Sequence, residues 1–266
     1  MLTIRSRRTL QMCLRYRSWD QAQRIVSQIE DRAPKTWSPK DEEGSVHYHQ
    51  SFSDVPFEEG NWCVLARTNH IANFYARQLE EEGWVYSRKG KTSIHPQTYD
   101  AIMSWEDLVK GRSITVPALK NMYGFMRSGV DFMKGFSTRS KAFTSLKSDQ
   151  LIDLMYAQEN LGLMWGEDIR WHKSLSKIDL DTKNYVLNAL RRGDNVKHPR
   201  IKVSTIHSMK GGESDNVLVI TDLSYASYKE YQKNPSSEHR VFYVAVTRAK
   251  KSLHILEPTT QRYYEI

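Results

Sequence analysis

The stretch from Ile201 to Ile220 reads IKVSTIHSMKGGESDNVLVI and contains two short runs rich in β-branched residues. These runs, at 201–204 and 217–220, are typical of the buried strands of a parallel sheet. A helical stretch around 238–251 and a further strand at 252–256 follow them. Because strands that alternate with helices form right-handed βαβ units, this part of the chain is predicted to be an α/β domain with a parallel sheet.

The first 95 residues show the same alternation of helix and strand patterns. The predicted elements are a helix at 19–32 with Ser18 as its N-cap, a strand at 62–66, a helix at 70–82 and a strand at 84–87. The simplest architecture joins both ends of the chain, residues 1–95 and 196–266, into one discontinuous α/β domain.

The middle of the chain, residues 96–195, has a different pattern. It lacks β-branched runs and places Met, Leu and aromatic residues three and four positions apart, as in Leu119, Met122, Tyr123 and Met126. Further helices are predicted at 149–152 and 181–190. We therefore expect an all-helical insertion whose methionine and aromatic stripes form its core rather than a ligand site.

Composition narrows the class of protein. The 266 residues include 39 Lys and Arg against 31 Asp and Glu, a net charge of +8, which favours a polyanionic partner such as nucleic acid. The two cysteines are too few for a disulfide framework or a four-cysteine zinc site, so no metal site is expected. No apolar run reaches the roughly 18 residues of a membrane span, and the expected location is the cytoplasm, with no membrane partner.

The segment Gly90-Lys91-Thr92 matches the last three positions of a phosphate-binding loop. The first glycine of that motif is missing, because position 85 is a valine. The motif also requires a helix that begins at once, whereas Pro96 follows four residues later and favours a turn. We expect no phosphate loop here, and no other segment fits the pattern.

Three other segments contain side chains suited to a charged ligand. The stretch Thr205–Asp215 lies between two predicted strands and contains His207, Lys210 and a glycine pair. Arg248 follows an apolar helical face, and a guanidinium is well suited to phosphate. Near the start, Tyr16 stands beside Arg17, a pairing that can stack on a base and reach a phosphate. Each segment alone is also compatible with an ordinary solvated surface.

In this order, the segments resemble the C-terminal half of the UvrD/Rep/PcrA-like helicases of superfamily 1. The family shows N-Y-R-S, V-L-x-R-T-N, a variable helical insertion, T-x-H-x-x-K-G-x-E and F-Y-V-A-x-T-R-A. The matching segments here are Tyr16–Ser18, Val64–Asn69, Thr205–Glu213 and Phe242–Ala249. The resemblance covers almost the whole chain outside the insertion, and its last two motifs are highly specific.

The resemblance implies a RecA-like fold, that is, the second motor domain of a P-loop-NTPase-like enzyme that uses ATP and Mg²⁺ and moves from 3′ to 5′ along single-stranded DNA. It implies two sets of site residues. On the nucleotide side, Tyr16 stacks on the adenine, Glu213 bonds the ribose next to Gly211, and the catalytic Arg17 and Arg248 reach the γ-phosphate. On the side of the single-stranded or partly duplex DNA lie Arg67, Asn69, Thr205, His207 and Lys210.

The sequence departs from the family at three positions: Arg15 replaces an asparagine, Gly212 an apolar residue and Ser214 an aromatic one. Walker A and Asp-Glu magnesium motifs are not found in it, so a first motor domain or partner chain is expected to provide them and to hold most of the ATP and Mg²⁺. The isolated chain is then expected to be inactive. A non-catalytic module that binds nucleic acid or a partner is the main alternative, and a helicase-linked nuclease a weaker one.

Overall fold

The computed structural model of the protein describes residues 16–30 and 44–266, with the backbone alone for 16–19. Within these ranges the helices are α1 Tyr16–Ser27, α2 Asn69–Glu81, α3 Pro96–Val109, α4 Val116–Gly124, α5 Lys141–Thr144, α6 Leu154–Leu161, α7 Trp171–Ser174, α8 Leu180–Arg192, α9 Tyr225–Lys233 and α10 Pro235–Val246. The strands are β1 Ser45–His49, β2 Trp62–Ala66, β3 Tyr86–Arg88, β4 Lys91–Thr92, β5 Ile114–Thr115, β6 Leu151–Ile152, β7 Ile201–Thr205, β8 Ser214–Ile220 and β9 Ala249–Leu256.

The chain divides into two compact units. In the described part of the chain, unit 1 contains the residues up to Glu82, Tyr86–Gly90 and Pro199–Ile266. Unit 2 contains Gly83–Val85 and Lys91–His198. The sequence placed the two boundaries at 96 and 195.

Unit 1 is built on a parallel sheet. Six of the seven strands of the main sheet belong to it, in the order β1-β9-β8-β2-β7-β3, and all of their pairings are parallel. The α/β class and the strands predicted at 62–66, 201–204 and 217–220 are confirmed. Parallel strands buried on both faces require near-continuous apolar runs, and all five residues of β2 are buried.

Helices α1 and α10 cover one face of this sheet. Ala22 and Ile25 of α1 share a buried cluster with Phe242 and Val246 of α10. Cys63 and Leu65 belong to the same cluster, so Val64, between them on β2, points to the opposite face. Since α1 begins at Tyr16, Ser18 lies inside the helix, and the prediction that it is the N-cap is wrong.

Unit 2 is mostly helical, but the prediction of an all-helical insertion is wrong. Strands β5 and β6 form an antiparallel pair in which Ile114 lies opposite Ile152. The helix predicted at 149–152 is instead strand β6, and α6 begins only after Asp153, whose side chain accepts from the backbone N–H of Tyr156. A four-residue segment with only two apolar residues is too short to distinguish helix from strand by its period.

The stripe of methionine and aromatic residues quoted from the sequence belongs to the core of unit 2, as predicted. Leu119, Met122, Tyr123 and Met126 are all buried within one cluster. Burial raises the pKa of the Tyr123 hydroxyl, which donates a hydrogen bond of 3.1 Å to the Leu161 carbonyl. These side chains therefore pack against one another and leave no ligand site along the stripe.

Candidate functional site

Two of the motifs meet at one edge of the sheet. Strands β2 and β7 are neighbours, and Ala66, the last residue of β2, pairs with Thr205, the last residue of β7. The pairing continues by one bond, because the N–H of Ile206 donates to the Ala66 carbonyl at 3.0 Å. Residues 67–69 and 206–208 therefore begin side by side at the carboxyl end of the sheet, where α/β proteins bind their ligands.

Most of the side chains predicted to contact DNA are accessible at this edge. Asn69, His207 and Lys210 are exposed, and Thr205 is half-buried. Asn69 is the first residue of α2, and its Oδ1 accepts a hydrogen bond of 3.1 Å from Arg88 Nη2. The Thr205 hydroxyl lies 2.8 Å from the Ser208 hydroxyl. The edge thus presents basic and polar groups suited to a phosphate backbone.

Arg67 is placed differently. Its Nε lies 2.8 Å from both carboxylate oxygens of Glu238, and its Nη2 lies 2.7 Å from Oε1. The Glu238 side chain is only 1% exposed and that of Arg67 is 21% exposed. A buried carboxylate needs such a partner, so the Arg67 guanidinium joins the end of β2 to α10. We remove Arg67 from the proposed DNA contacts for this reason.

The connection between β7 and β8, residues 206–213, runs from the carboxyl edge of the sheet to the amino edge, and we call it the crossing segment. Thr205 ends β7 at the carboxyl edge, whereas Ser214 begins β8 at the amino edge, two residues before the pair of Asn216 with Trp62. On the way, Ile206 and Met209 are buried in the core of unit 1. The sequence treated Thr205–Asp215 as a single strand exit, but the fold places its two ends at opposite edges.

Two glycines allow this crossing. Gly211 has φ +84°, a left-handed conformation that side-chain-bearing residues rarely adopt. A Cβ on Gly212 would lie 3.0 Å from Sδ and Cε of Met209, so the end of the Met209 side chain would have to shift by a few tenths of an ångström.

Arg248 lies at the amino edge, beside the end of the crossing segment. Its Nε donates to the Val244 carbonyl at 3.0 Å, its Nη1 to the Gly212 carbonyl at 3.2 Å, and its Nη2 to the Thr247 hydroxyl at 2.9 Å. Among the residues that the structure describes, no carboxylate lies within 4.0 Å of this half-buried guanidinium. Three neutral acceptors thus fix the group, no acidic group in the described part of the chain pairs with its positive charge, and two of its five N–H groups have no acceptor there and can bind a ligand.

The residues after Arg248 form a strand rather than the helix end predicted for 238–251. Helix α10 ends at Val246 and β9 begins at Ala249. Lys250 Nζ lies 3.8 Å from a Glu213 carboxylate oxygen, and Lys251 Nζ lies 3.5 Å from Asp215. Extended backbone sends these two lysines towards neighbouring acidic groups, so Glu213 is partly neutralised while it remains one-third exposed.

Helix α1 runs antiparallel to α10. The carbonyl of Glu30, just past the end of α1, accepts from Arg240 Nη2 at 3.1 Å and from the Ser236 hydroxyl at 3.4 Å, near the start of α10. The first turn of α1, which contains residues 16 and 17, therefore lies towards the end of α10 that leads to Arg248. The side chains of Tyr16 and Arg17 lie outside the described residues, so the convergence of Arg17 with Arg248 stays a prediction.

The segment Gly90-Lys91-Thr92 is no phosphate loop, as predicted. Lys89 and Gly90 both have positive φ angles, +50° and +76°, which is the pattern of a two-residue hairpin turn. The Thr92 hydroxyl donates to the Ile94 carbonyl at 2.7 Å, and the next helix begins only at Pro96. Neither helix amides nor a free hydroxyl is available to a phosphate here.

Across residues 16–30 and 44–266, no group of three or more His, Cys, Asp or Glu side chains is arranged to hold a metal ion. No helix in those ranges combines the length and apolar character of a membrane-spanning segment.

One comparison with known proteins found a similarity over part of the chain. Residues 140–258 match the family model of the UvrD-like helicase C-terminal domain. The matched range includes β7, β8, α10 and β9, and with them the crossing segment and Arg248. A search of curated proteins gave no match.

Proposed function

We propose that the chain is the second RecA-like motor domain of an ATP-dependent DNA helicase of superfamily 1, because residues 140–258 match the family model of the UvrD-like helicase C-terminal domain. In this proposal residues 1–95 and 196–266 form the motor domain and 96–195 the insertion. The motor moves from 3′ to 5′ along single-stranded DNA when a first motor domain with Walker A and B motifs completes it. The observation that supports this most is the fixed Arg248 guanidinium, which has no acidic partner among the described residues.

In the proposed nucleotide wall, Arg248 and Arg17 stabilise negative charge on the transferred phosphoryl group. ATP supplies that group, and Mg²⁺ is held mainly by the first motor domain. A guanidinium already fixed by Val244, Gly212 and Thr247 needs little reorganisation when the charge develops. Glu213 accepts from the ribose and Tyr16 stacks on the base. Gly211 allows the backbone to approach the nucleotide closely.

In the proposed DNA track, Thr205, His207, Lys210 and Asn69 contact the phosphate backbone at the carboxyl edge of the sheet. Three of these residues are exposed there. Such contacts give affinity that is independent of base sequence and falls as salt rises. The segment 205–213 joins this edge to Arg248, so we propose that it transmits movement between the DNA and the nucleotide.

The proposal is tested on the chain together with a partner that contains the Walker motifs, isolated by pull-down. We expect DNA-stimulated ATP hydrolysis by the pair to fall about a thousandfold in Arg248→Ala, the range seen when a catalytic arginine is lost. Arg248→Lys should rescue little, because an ammonium cannot reproduce the three fixed bonds of the guanidinium. Arg112→Ala is the matched control, since Arg112 forms an exposed pair with Asp107.

Two results would refute the proposal: an unchanged rate in Arg248→Ala, or robust ATP hydrolysis by the purified 266-residue chain alone. Salt-sensitive binding to single-stranded DNA with no ATP hydrolysis in any pairing would favour the non-catalytic module instead.

A further inference from the structure

Strand β9 contains one extra residue near its start. Ser214 of β8 pairs with Ala249, and Asn216 pairs with Ser252, so three residue steps on β9 lie beside two on β8. This irregularity is a β-bulge. Bulges are rare between parallel strands, and they are common next to active sites, where they change the direction of a side chain. The side chains within this bulge are therefore candidates for a role at the amino edge of the sheet.

The two residues within the bulge are lysines, and both lie near acidic side chains. Lys250 Nζ lies 3.8 Å from Glu213 Oε2, and Lys251 Nζ lies 3.5 Å from Asp215 Oδ1. Successive side chains of a regular strand point to opposite faces, whereas these two lysines reach acidic residues that are two positions apart in the neighbouring segment. The bulge therefore brings two ammonium groups to one short stretch of carboxylates.

Lys250 is the lysine that bears on the proposed nucleotide wall, because its partner Glu213 is the proposed ribose acceptor. The backbone joins this pair closely to Arg248. The Arg248 carbonyl accepts from the Ser214 N–H at 3.0 Å, and Arg248 Nη1 donates to the Gly212 carbonyl at 3.2 Å. Glu213 lies between these two residues in the chain, so its pair with Lys250 and the Arg248 guanidinium are held on the same three-residue stretch.

A carboxylate beside a triphosphate is unfavourable unless its charge is compensated. The Glu213 side chain is 32% exposed, so water screens its charge only in part. The ammonium of Lys250 compensates that charge from the side of Oε2. A carboxylate can accept about four hydrogen bonds through its two oxygens, so a ribose hydroxyl can still bind to Glu213. The pair thus accepts from a ribose without adding repulsion towards the phosphates.

We propose that Lys250 is a positioning residue for the nucleotide: it orients and neutralises the Glu213 carboxylate and thereby sets the affinity for ATP. This inference rests on the proposed function, in which Glu213 accepts from the ribose and Arg248 serves the transferred phosphoryl group. Lys250 therefore acts on binding rather than on the chemical step. An interaction that is equal in the ground state and the transition state changes KM and leaves kcat unaltered.

The experiment measures steady-state ATP hydrolysis by the full chain together with its partner that contains the Walker motifs, at saturating single-stranded DNA. In Lys250→Ala we expect KM for ATP to rise about fivefold, the upper range for exposed charge pairs, while kcat changes by less than about twofold. Lys250→Arg keeps the positive charge and should return KM to within about twofold of the unchanged protein. Lys110→Ala is the matched control, because it removes an exposed lysine from a pair with Glu106 and should leave both constants unchanged.

A double-mutant cycle separates this role from a direct contact with the phosphates. In the Glu213→Gln background no carboxylate charge needs compensation, so Lys250→Ala should change KM by less than about twofold. An equal rise of KM in both backgrounds would mean that Lys250 binds phosphate itself, and it would overturn the proposal. An unchanged KM in Lys250→Ala, or a fall in kcat with KM unaltered, would also overturn it, provided that hydrolysis by the pair depends on Arg248. If no pairing hydrolyses ATP, the proposed function itself fails, and this inference fails with it.

Discussion

The ion pair between Arg67 and Glu238 gives a quantitative test of the fold and of the site assignment together. Arg67→Ala leaves a carboxylate that is 1% exposed without its cation, which typically destabilises a protein by about 3–5 kcal/mol. Because Arg67 is itself 21% exposed, we expect the lower end, about 3 kcal/mol. Glu238→Gln should cost less, since the guanidinium left behind can reach water and the amide keeps one hydrogen bond.

The assay is urea denaturation of the four proteins of a double-mutant cycle. These are the unchanged protein, Arg67→Met, Glu238→Leu, and the variant that combines these two substitutions. We expect a coupling energy of at least about 1 kcal/mol, because the double variant leaves no buried charge unpaired. DNA affinity measured on the folded Arg67→Ala protein should keep its salt dependence. A stability loss below about 1 kcal/mol, together with a salt slope reduced by about one, would show that Arg67 contacts DNA phosphate and that our structural assignment is wrong.

Two further predictions concern other parts of the molecule. His254 is stacked against His47 and His49, its Nδ1 lies 2.8 Å from His49 Nε2, and burial followed by the charges of those two residues lowers its pKa to about 3. The fold is therefore most stable with respect to this group above pH 6.5, and it loses up to about 1.4 kcal/mol of stability for each pH unit as the pH falls towards 3. The midpoint of urea denaturation should depend less on pH in His254→Asn than in the unchanged protein. The exposed control His70→Asn should leave the pH dependence unchanged. Gly162 has φ +68°, and a Cβ there would lie 2.6 Å from the Phe136 ring, whereas Gly111 has a similar φ and open space around it. Gly162→Ala should therefore lower stability by about 1–3 kcal/mol more than Gly111→Ala. Equal losses of stability in thermal melts of the two variants would contradict the role of the ring.

The strands that the sequence predicted contain continuous runs of apolar residues, which are typical of buried strands. Strand β2 is five buried residues in a row, and β8 has four. Strand β1, by contrast, contains His47, Tyr48 and His49 and was not predicted. Its two histidines are placed by His254, which is more than 200 residues away in the chain. A short polar strand of this kind is specified by its neighbours in the sheet rather than by its own pattern.

In the candidate site, too, some residues are recognised from the local sequence, whereas others depend on contacts between distant parts of the chain. Motif spacing selects Thr205–Glu213 and Arg248 as candidates, and their roles stay predictions. It could not assign Arg67, since a carboxylate at the start of a helix normally indicates only a favourable helix dipole. That Glu238 is buried, and hence needs a cation, depends on how α10 packs against the end of β2.

The bond between Arg248 and the Gly212 carbonyl connects these observations. Gly212 belongs to the crossing segment, whose other end presents His207 at the carboxyl edge of the sheet. The segment is held between its ends by the burial of Ile206 and Met209, so a shift of its exposed end is resisted by the core. If DNA binds at position 207 as we propose, this segment and its bond to Arg248 form a short physical route from the DNA to the guanidinium. A Cβ at Gly212 would meet the Sδ and Cε atoms of Met209 at 3.0 Å, so the end of that buried side chain would have to shift by a few tenths of an ångström.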